Sequence, residues 1–131
     1  MFSHITVGVS DLETAGRFYD AVLSPLGLIN RPVIPDGGPA SLCWIHPDHN
    51  LPRFYTYLPF NGAAATAGNG SMVAFLAPTP DAVDKAFQAA LSLGGSSEGE
   101  PGLRKNYGDN YYGAYFRDPD GNKIHIVCRD D

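Results

Sequence analysis

The chain has 131 residues, of which 44% are hydrophobic and 18% are charged, so it is long and apolar enough to bury a core without disulfides or a structural metal. We therefore expect a single domain over residues 1–131. The formal net charge is -5, and no run of Lys or Arg interrupts the scattered acidic residues. Nucleic acids and anionic membrane surfaces are excluded as expected partners, because both are bound by clustered positive charge.

The start of the chain and its cysteines indicate a cytoplasmic protein. Residues 1–6 lack the basic start and apolar run of a secretory signal, and no apolar run reaches the length of a membrane span. Cys43 and Cys128 each lie among apolar residues in strand-like segments. That setting favours buried, reduced thiols over a catalytic cysteine.

A strand and a helix open the first half. Residues 5–9 alternate β-branched apolar residues with small or polar ones, the two-residue period of a strand covered on one face. Residues 10–13 (SDLE) have the spacing of a helix capping box, and apolar residues recur at helical spacing over residues 12–26. Hairpin-like strands are then expected at residues 41–45 and 54–58.

The same order returns in the second half, after a Gly- and Ala-rich connector at residues 61–70. Residues 72–77 alternate like a strand, and Thr79-Pro80 supplies a helix N-cap with proline at the first helical position. An apolar stripe then ends at Gly94-Gly95. The last two strands are expected at residues 111–117 and 123–128.

Internal duplication, with modules of about residues 1–60 and 70–131, is the economical explanation for this repeat. Residues 47–48 and 119–120 are both Pro-Asp and occupy matching places in it. Residues 118–121 (DPDG) have the composition of a tight turn, in which proline fixes φ and glycine accepts a positive φ. This turn is expected to join the last two strands.

The paired modules carry three further marks. His4 opens the first strand, residues 9–11 (VSD) lead into the first helix, and residues 118–122 (DPDGN) form the last turn. Together these features resemble the vicinal oxygen chelate superfamily, the group of glyoxalases, bleomycin resistance proteins and extradiol dioxygenases. The small bacterial glyoxalase-like branch is especially similar, through GNG at residues 68–70, PGLR at 101–104, Tyr107 and YYGA at 111–114.

The resemblance implies an α+β fold of two βαβββ modules, whose curved mixed sheets enclose a cavity with the helices on the outer face. Function in such a fold lies in the cavity. The resemblance also implies a small-molecule ligand and assembly as a homodimer.

Metal-dependent relatives place ligands at inward-facing positions of the first, fourth, fifth and eighth strands, and the matching residues here are His4, Tyr55, Met72 and His125. The resemblance implies His4 and His125 as metal ligands, since imidazole binds divalent metals well. Met72 stands where relatives have histidine, and hard or borderline metals bind its thioether poorly. Tyr55 stands near the place of a glutamate. One divalent metal (nickel, zinc, iron or manganese) is one expectation, and no metal is the other.

A shortage of carboxylates limits the chemistry. The only glutamates are Glu13, Glu98 and Glu100, and the aspartates fall in turns, helix starts or tails. Neither a two-histidine-one-carboxylate iron site nor a strand-borne glutamate base can be built from the expected strands alone. Loop residues or a second subunit are the remaining sources. The general base, and with it every catalytic residue, stays unassigned.

Arg104 and several aromatic residues suit an anionic or aromatic small molecule near the cavity mouth. The alternative is that the aromatics are ordinary half-buried strand residues and that Arg104 pairs with Glu98 or Glu100 on the surface. Tyr111 and Tyr112 are neighbours on a strand, so one faces the cavity and the other the outer layer. The predicted ligand-binding residues are Trp44, Tyr55, Met72, Arg104, Tyr107, Tyr111 and Tyr112.

Two functions remain open. The first is a metal-dependent glyoxalase-like lyase or dioxygenase that acts on a small molecule with vicinal oxygens, which the metal would polarise. The second is a metal-free protein that binds or sequesters a small molecule. The thioether of Met72 and the missing strand carboxylate favour the second function, whereas the inward positions of His4 and His125 favour the first.

Overall fold

The computed structural model describes residues 1–130 of the chain. Each half begins with a strand and a helix and continues with three strands. In chain order the elements are β1 (His4–Gly8), α1 (Leu12–Leu23), a 3₁₀ turn (Ser24–Leu26), β2 (Ile29–Arg31), β3 (Ser41–His46), β4 (His49–Tyr57), β5 (Val73–Leu76), α2 (Pro80–Ser92), β6 (Ser96–Leu103), β7 (Tyr112–Arg117) and β8 (Lys123–Cys128).

The strands form two four-stranded mixed sheets, one in each module. Their orders are β1-β4-β3-β2 and β5-β8-β7-β6. Strand β1 runs parallel to β4 and β5 runs parallel to β8, while the other neighbouring pairs are antiparallel. The expected α+β fold of two repeated modules is confirmed, with sheets that do not close. No helix within residues 1–130 has the length and apolar character needed to cross a membrane.

Helix α1 begins at a different cap from the one that the sequence predicts. Asp11 is the N-cap, and its side chain accepts a hydrogen bond from the Glu13 N–H at 2.9 Å. The N–H and hydroxyl of Ser10 instead donate to Asp120, at 3.1 and 2.6 Å. The predicted capping box is therefore wrong, because Ser10 binds the turn of the second module and Asp11 caps the helix in its place.

Helix α1 also ends earlier than its apolar period suggests. The α-helix stops at Leu23, and Ser24–Leu26 continue as a 3₁₀ turn. Pro25 has no N–H to donate and its ring crowds the preceding turn, so regular helical bonding ends there. Helix α2 matches its prediction, with Thr79 accepting from the Ala82 N–H at 3.1 Å and Pro80 in the first turn.

Strand β4 starts at His49, before the expected start at residue 54. The pairing of His46 with His49 leaves a two-residue turn between β3 and β4. Pro52 falls where the register shifts between Trp44 and His46, so its missing N–H interrupts no regular ladder. Tertiary pairing therefore extends a strand through a segment in which proline argues against one.

The aromatic core lies between the helices and the sheets. Phe18 of α1 meets Phe116 of β7 with ring centroids 6.1 Å apart, so the helix of the first module packs on the sheet of the second. Next to it the Tyr19 ring lies 5.6 Å from Trp44 and 5.0 Å from Phe54. All five side chains are buried, and rings at these separations attract one another beyond simple burial.

A buried polar network joins the modules at the last turn. The Tyr19 hydroxyl donates to Asp118 Oδ2 at 2.6 Å. The Asn122 amide donates both to Asp118 Oδ2 and to the Gly8 carbonyl, each at 2.9 Å. Gly121 closes the turn with a φ of 88° and donates its N–H to the Asp118 carbonyl. The predicted tight turn is confirmed, and it also fastens the second module to the first.

Candidate functional site

An open cleft of about 450 Å³ lies on the second module, and we call it the second-module cleft. It combines aromatic, thioether and charged side chains, which is a common composition for small-molecule sites. Its lining consists of Met72, Glu98, Arg104, Asn106, Tyr107, Tyr115 and Lys123.

The pairing of β7 with β8 decides which side chains face this cleft. Tyr115 lies opposite His125, and Arg117 lies opposite Lys123. Because side chains alternate along a strand, Tyr112 points the other way, and its hydroxyl donates to Asp84 of α2 at 2.7 Å. The structure thus settles what the sequence leaves open: Tyr112 faces the helix layer and Tyr111 the cleft side.

His125 lies beneath the cleft and is 1% exposed. Its Nδ1 lies 2.8 Å from the Ala114 carbonyl oxygen, which can only accept, so Nδ1 carries the hydrogen. In the neutral ring Nε2 is then the acceptor, and the Tyr111 hydroxyl donates to it at 2.7 Å. Both ring nitrogens are therefore engaged by the protein itself.

The surroundings of His125 favour its neutral form. Burial is the largest influence and lowers the pKa of His125 from its ordinary 6.5. The positive charges of Arg104 and Lys123 lower it further, while the hydrogen bond to the Ala114 carbonyl acts in the opposite direction. A neutral imidazole is what an Nε2 acceptor requires.

Tyr115 separates this histidine from the cleft. Its ring stacks on His125 with centroids 3.9 Å apart and an interplanar angle of 8°. The Arg104 guanidinium and the Lys123 ammonium lie 5.7 and 5.5 Å from the centroid of the same Tyr115 ring. Arg104 is held in place by donating to the Glu100 carbonyl at 2.7 Å. The cleft thus brings two cations to the surface of an aromatic stack.

The tight stack depends on a missing side chain. A Cβ at Gly113 would lie 2.6 Å from His125 Cε1 and 3.1 Å from the Ile126 carbonyl oxygen. Real Cβ atoms do not approach other atoms as closely as the first of these distances. Gly113 therefore has to be glycine for His125 to occupy its present place.

The first-module counterparts have a different environment. His4 is exposed, shares a 3.0 Å hydrogen bond with the Ser3 hydroxyl and meets the Tyr55 ring edge-on at 5.6 Å. Tyr55 in turn lies near Arg53, whose Nη1 donates to its hydroxyl at 3.5 Å. Of the four family ligand positions, His4 and Tyr55 thus lie together on the first sheet.

The donors at those positions do not fit a divalent metal in this arrangement. Within residues 1–130 no group of three or more His, Cys, Asp or Glu side chains is placed to hold one. Met72 borders the second-module cleft with a thioether, and both nitrogens of His125 already have partners. The pairing of His4 and His125 as metal ligands stays a prediction.

The other predicted ligand-binding residues divide between cleft and core. Arg104 and Tyr107 line the cleft. The Tyr111 ring lies 5.2 Å from that of Tyr107 and 5.7 Å from that of His125. Trp44 is 1% exposed in the core, where its Nε1 donates to Asp20 of α1 at 2.9 Å.

Sequence reasoning did not single out Tyr115 or Lys123 as ligand-binding residues. The signal was present, because a hairpin joined by residues 118–122 places Arg117 opposite Lys123 and hence Tyr115 opposite His125. If His125 faces inward, the strand register places Tyr115 and Lys123 on the same face of the sheet. The sequence alone does not show that the segment around Arg104 folds back over this face.

The match to known families agrees with this architecture. The family described as the Glyoxalase/Bleomycin resistance protein/Dioxygenase superfamily matches residues 1–126. The chain belongs to this superfamily. The resemblance to the vicinal oxygen chelate group is therefore confirmed, while a search of curated proteins finds no match.

Solved structures of superfamily members superpose on nearly the whole chain. A glyoxalase/bleomycin resistance protein from Albidiferax ferrireducens is 40% identical, with a TM-score of 0.81 and 99% of each chain covered. A lactoylglutathione lyase from Agrobacterium tumefaciens is 20% identical, with a TM-score of 0.63 and coverage of 98% of this chain and 92% of its own. A genomically encoded fosfomycin resistance protein from Listeria monocytogenes is 15% identical, with a TM-score of 0.68 and coverage of 100% and 92%. The last two likenesses show the fold alone.

Proposed function

We propose that this superfamily member binds an anionic, ring-containing small molecule in the second-module cleft without using a metal at the family's ligand positions. The engagement of both His125 nitrogens, by Tyr111 and by Ala114, is the observation that carries the proposal. It leaves this histidine no free lone pair for a metal, and it places a hydrogen-bonded aromatic stack directly under the cleft.

The charges around the cleft favour an anion. Arg104 and Lys123 both line it, and neither takes part in a salt bridge with a carboxylate among the pairs within 4.0 Å in residues 1–130. The one acidic lining residue, Glu98, is already paired with Arg117 at 2.8 Å. A carboxylate or phosphate on the ligand would complete this arrangement, since charge-assisted hydrogen bonds to arginine are among the stronger ones.

The remaining walls favour a ring. Tyr107 and Tyr115 offer aromatic faces, and the thioether of Met72 contacts aromatic groups well while adapting to irregular space. Met72 is 45% exposed in the empty cleft, so a ring laid against it would remove apolar surface from water. The proposal therefore assigns Met72 a binding role in place of the histidine of metal-dependent relatives.

Binding of para-nitrobenzoate, followed by calorimetry and by NMR line shifts, tests the proposal, with para-nitrobenzamide as its uncharged match. We expect para-nitrobenzoate to bind and R104Q to weaken its binding by at least about tenfold, because charge-assisted hydrogen bonds contribute roughly 1.5–3 kcal/mol. R17Q removes the same charge from an exposed pair on α1 and serves as the control. Absence of para-nitrobenzoate binding, or equal loss in both variants, overturns the proposal.

The metal-dependent lyase or dioxygenase remains the competing function, and elemental analysis separates the two. Protein purified without chelators would be titrated with nickel, zinc, iron(II) and manganese. We expect no stoichiometric binding that depends on His4 or His125. Stoichiometric metal that is lost in H125A would establish the competing function. The homodimer and the cytoplasmic location stay predictions, the former testable by sedimentation velocity.

A further inference from the structure

We propose that the first module holds a second ligand site, in which Arg31 and Arg53 together bind a compact oxyanion, the shared chemistry of phosphate and carboxylate groups. The site is a pocket of about 250 Å³ between strands β2 to β4 and the loop that follows β2, and we call it the first-module pocket. It shares no lining residue with the second-module cleft. The inference therefore does not depend on the proposed function.

Strand register places both arginines on the face of the first sheet that points away from the helices. Arg31 pairs with Cys43 and Cys43 pairs with Tyr55, so these three residues form one row across the sheet. Arg53 lies two residues before Tyr55 on β4 and therefore shares its face. Phe54, which alternates with them, is buried in the aromatic core. Backbone pairing thus brings two guanidinium groups to one pocket.

A single asparagine holds both guanidinium groups. Arg31 Nη1 donates to Asn50 Oδ1 at 3.2 Å, and Arg53 Nη2 donates to the same oxygen at 2.9 Å. Arg53 Nε also donates to the Asn50 carbonyl oxygen at 3.1 Å. Each guanidinium has five N–H donors, so these bonds leave donors on both. The two groups are oriented beforehand, which lowers the entropy that a ligand would lose in ordering them.

The two positive charges lack a counter-charge. Within residues 1–130, no carboxylate lies within 4.0 Å of a nitrogen of either arginine. Asp36 borders the pocket, but it is exposed and one of its oxygens accepts from the Gly38 N–H at 2.9 Å. Both arginines are half-buried, which limits the screening of their charges by water and salt.

An oxyanion would relieve this arrangement. Two like charges that meet at one oxygen atom repel each other, and the Asn50 amide offsets the repulsion only with a neutral dipole. A phosphate or carboxylate group between the two guanidinium groups would supply the missing negative charge. It would also accept charge-assisted hydrogen bonds from both, which are stronger than those to a neutral amide.

The size and walls of the pocket limit the ligand. Its volume of about 250 Å³ is smaller than that of the second-module cleft, about 450 Å³, and lies below the roughly 300–1,000 Å³ that is usual for drug-sized ligands. Residues 32–34 (PVI) provide an apolar wall, and Tyr55 and Tyr57 provide aromatic ones. The pocket therefore suits a small organic acid or a small phosphorylated molecule.

Titration with inorganic phosphate and with acetate, followed through the Nε–H NMR signals of the arginine side chains, tests the proposal. We expect at least one of these ions to move the Arg31 and Arg53 signals together and to saturation, whereas sodium chloride at the same ionic strength does not. R31Q should weaken this binding, read at the Arg53 signal, at least about tenfold. R17Q removes the same charge from an exposed pair on α1 and should leave the binding unchanged.

R53K is the conservative variant, because it keeps the positive charge and gives up the planar fork. It should bind the ion more weakly than the wild type does, and R53Q should bind it more weakly still. Trp44 is the only tryptophan of the chain and is 1% exposed. Its fluorescence therefore reports whether each variant keeps the aromatic core, so that a loss of binding is not mistaken for unfolding.

N50D tests the missing counter-charge directly. It replaces the neutral acceptor shared by Arg31 and Arg53 with a carboxylate of nearly the same shape. The protein would then supply its own negative charge at this place, and N50D should bind the added ion at least about tenfold more weakly. Binding as strong in N50D as in the wild type contradicts the proposal.

The remaining outcomes separate this site from the second-module cleft. The first-module site is overturned if neither ion moves the Arg31 and Arg53 signals, if sodium chloride moves them equally, or if R31Q and R17Q bind the ion equally well. A response confined to Arg104 would also overturn it, while the proposed function would stand. Failure of para-nitrobenzoate to bind would overturn the proposed function and leave the first-module site in place.

Discussion

The two modules share one frame but differ sharply at matching positions. In the first, Tyr55 of β4 meets the ring of an exposed His4 edge-on. In the second, His125 takes the corresponding place on β8 and is buried under the Tyr115 ring. Duplication thus preserves the strand pairing, while burial and charge set the matching positions apart.

The turns of the two modules differ in the same way. The turn at residues 47–48 is exposed and closes its own hairpin. Its counterpart at residues 118–122 is buried at Asp118 and Asn122. It contacts Tyr19, Gly8 and Ser10 of the first module. A motif whose sequence predicts a local turn therefore also forms the hydrogen bonds that join the second module to the first.

Among the substitutions that test this comparison, replacement of Asp118 should lower the stability most. D118A removes the acceptor of the buried Tyr19 hydroxyl and of the Asn122 and Asp120 backbone N–H groups. It also leaves the Asn122 side-chain amide with only the Gly8 carbonyl as an acceptor. We expect the free energy of unfolding to fall by about 3 kcal/mol, since each unsatisfied buried group costs roughly 1–3 kcal/mol. Urea denaturation measures it.

The matched change is D48A in the exposed turn of the first module. Surface substitutions of this kind usually stay within about 0.5 kcal/mol. Equal losses in D48A and D118A would mean that the buried network does not distinguish the two turns.

Replacing Gly113 should have the next largest effect. The added Cβ of G113A would lie 2.6 Å from His125 Cε1, so the ring stack has to move. We expect a loss of about 2 kcal/mol, within the usual range for overpacking, together with a shift of the His125 NMR signals. G8A is the control, because its Cβ would meet other atoms at 3.7 Å or more. A G113A protein as stable as G8A would show that the stack is loose.

The pH dependence of stability should show the smallest effect. Because the pKa of His125 is lowered in the folded protein from 6.5, the unfolded chain binds more protons just below that pH. Stability therefore falls as the pH drops below about 6.5 and the unfolded histidine becomes charged. H125Q should flatten this part of the curve in urea titrations between about pH 7 and 5.

The exposed first-module histidine gives the matching substitution. H4Q removes an imidazole from the exposed surface of the first module and serves as the control for the loss of a histidine. A slope that disappears in H4Q and persists in H125Q would reverse the assignment of the buried, neutral histidine.

Local patterns predicted most of the frame. The alternation of residues 5–9, the Thr79-Pro80 start of α2 and the glycine of the last turn each follow from backbone geometry, and each is observed. The errors arose where distant residues compete. Ser10 leaves its expected cap for Asp120, a partner that no short-range rule could supply.

The site was less predictable than the frame. Positions such as His4, Met72 and His125 could be named from the family resemblance, because strand position alone sets which face they occupy. The burial and hydrogen-bond partners of these residues could not be predicted, since they depend on which side chains cover the strand. Tyr115 covers His125, whereas a similar cover is missing over His4.

By itself the sequence determined the two modules, the superfamily resemblance and the shortage of strand carboxylates, because these depend on residue type and periodicity. Only the tertiary structure decided that Tyr111 rather than Tyr112 meets His125, that both imidazole nitrogens are engaged, and that two cations stand over one ring. These outcomes depend on strand register and on chain segments that meet across the fold, and hydrogen bonds and charges act over distances in space rather than along the chain.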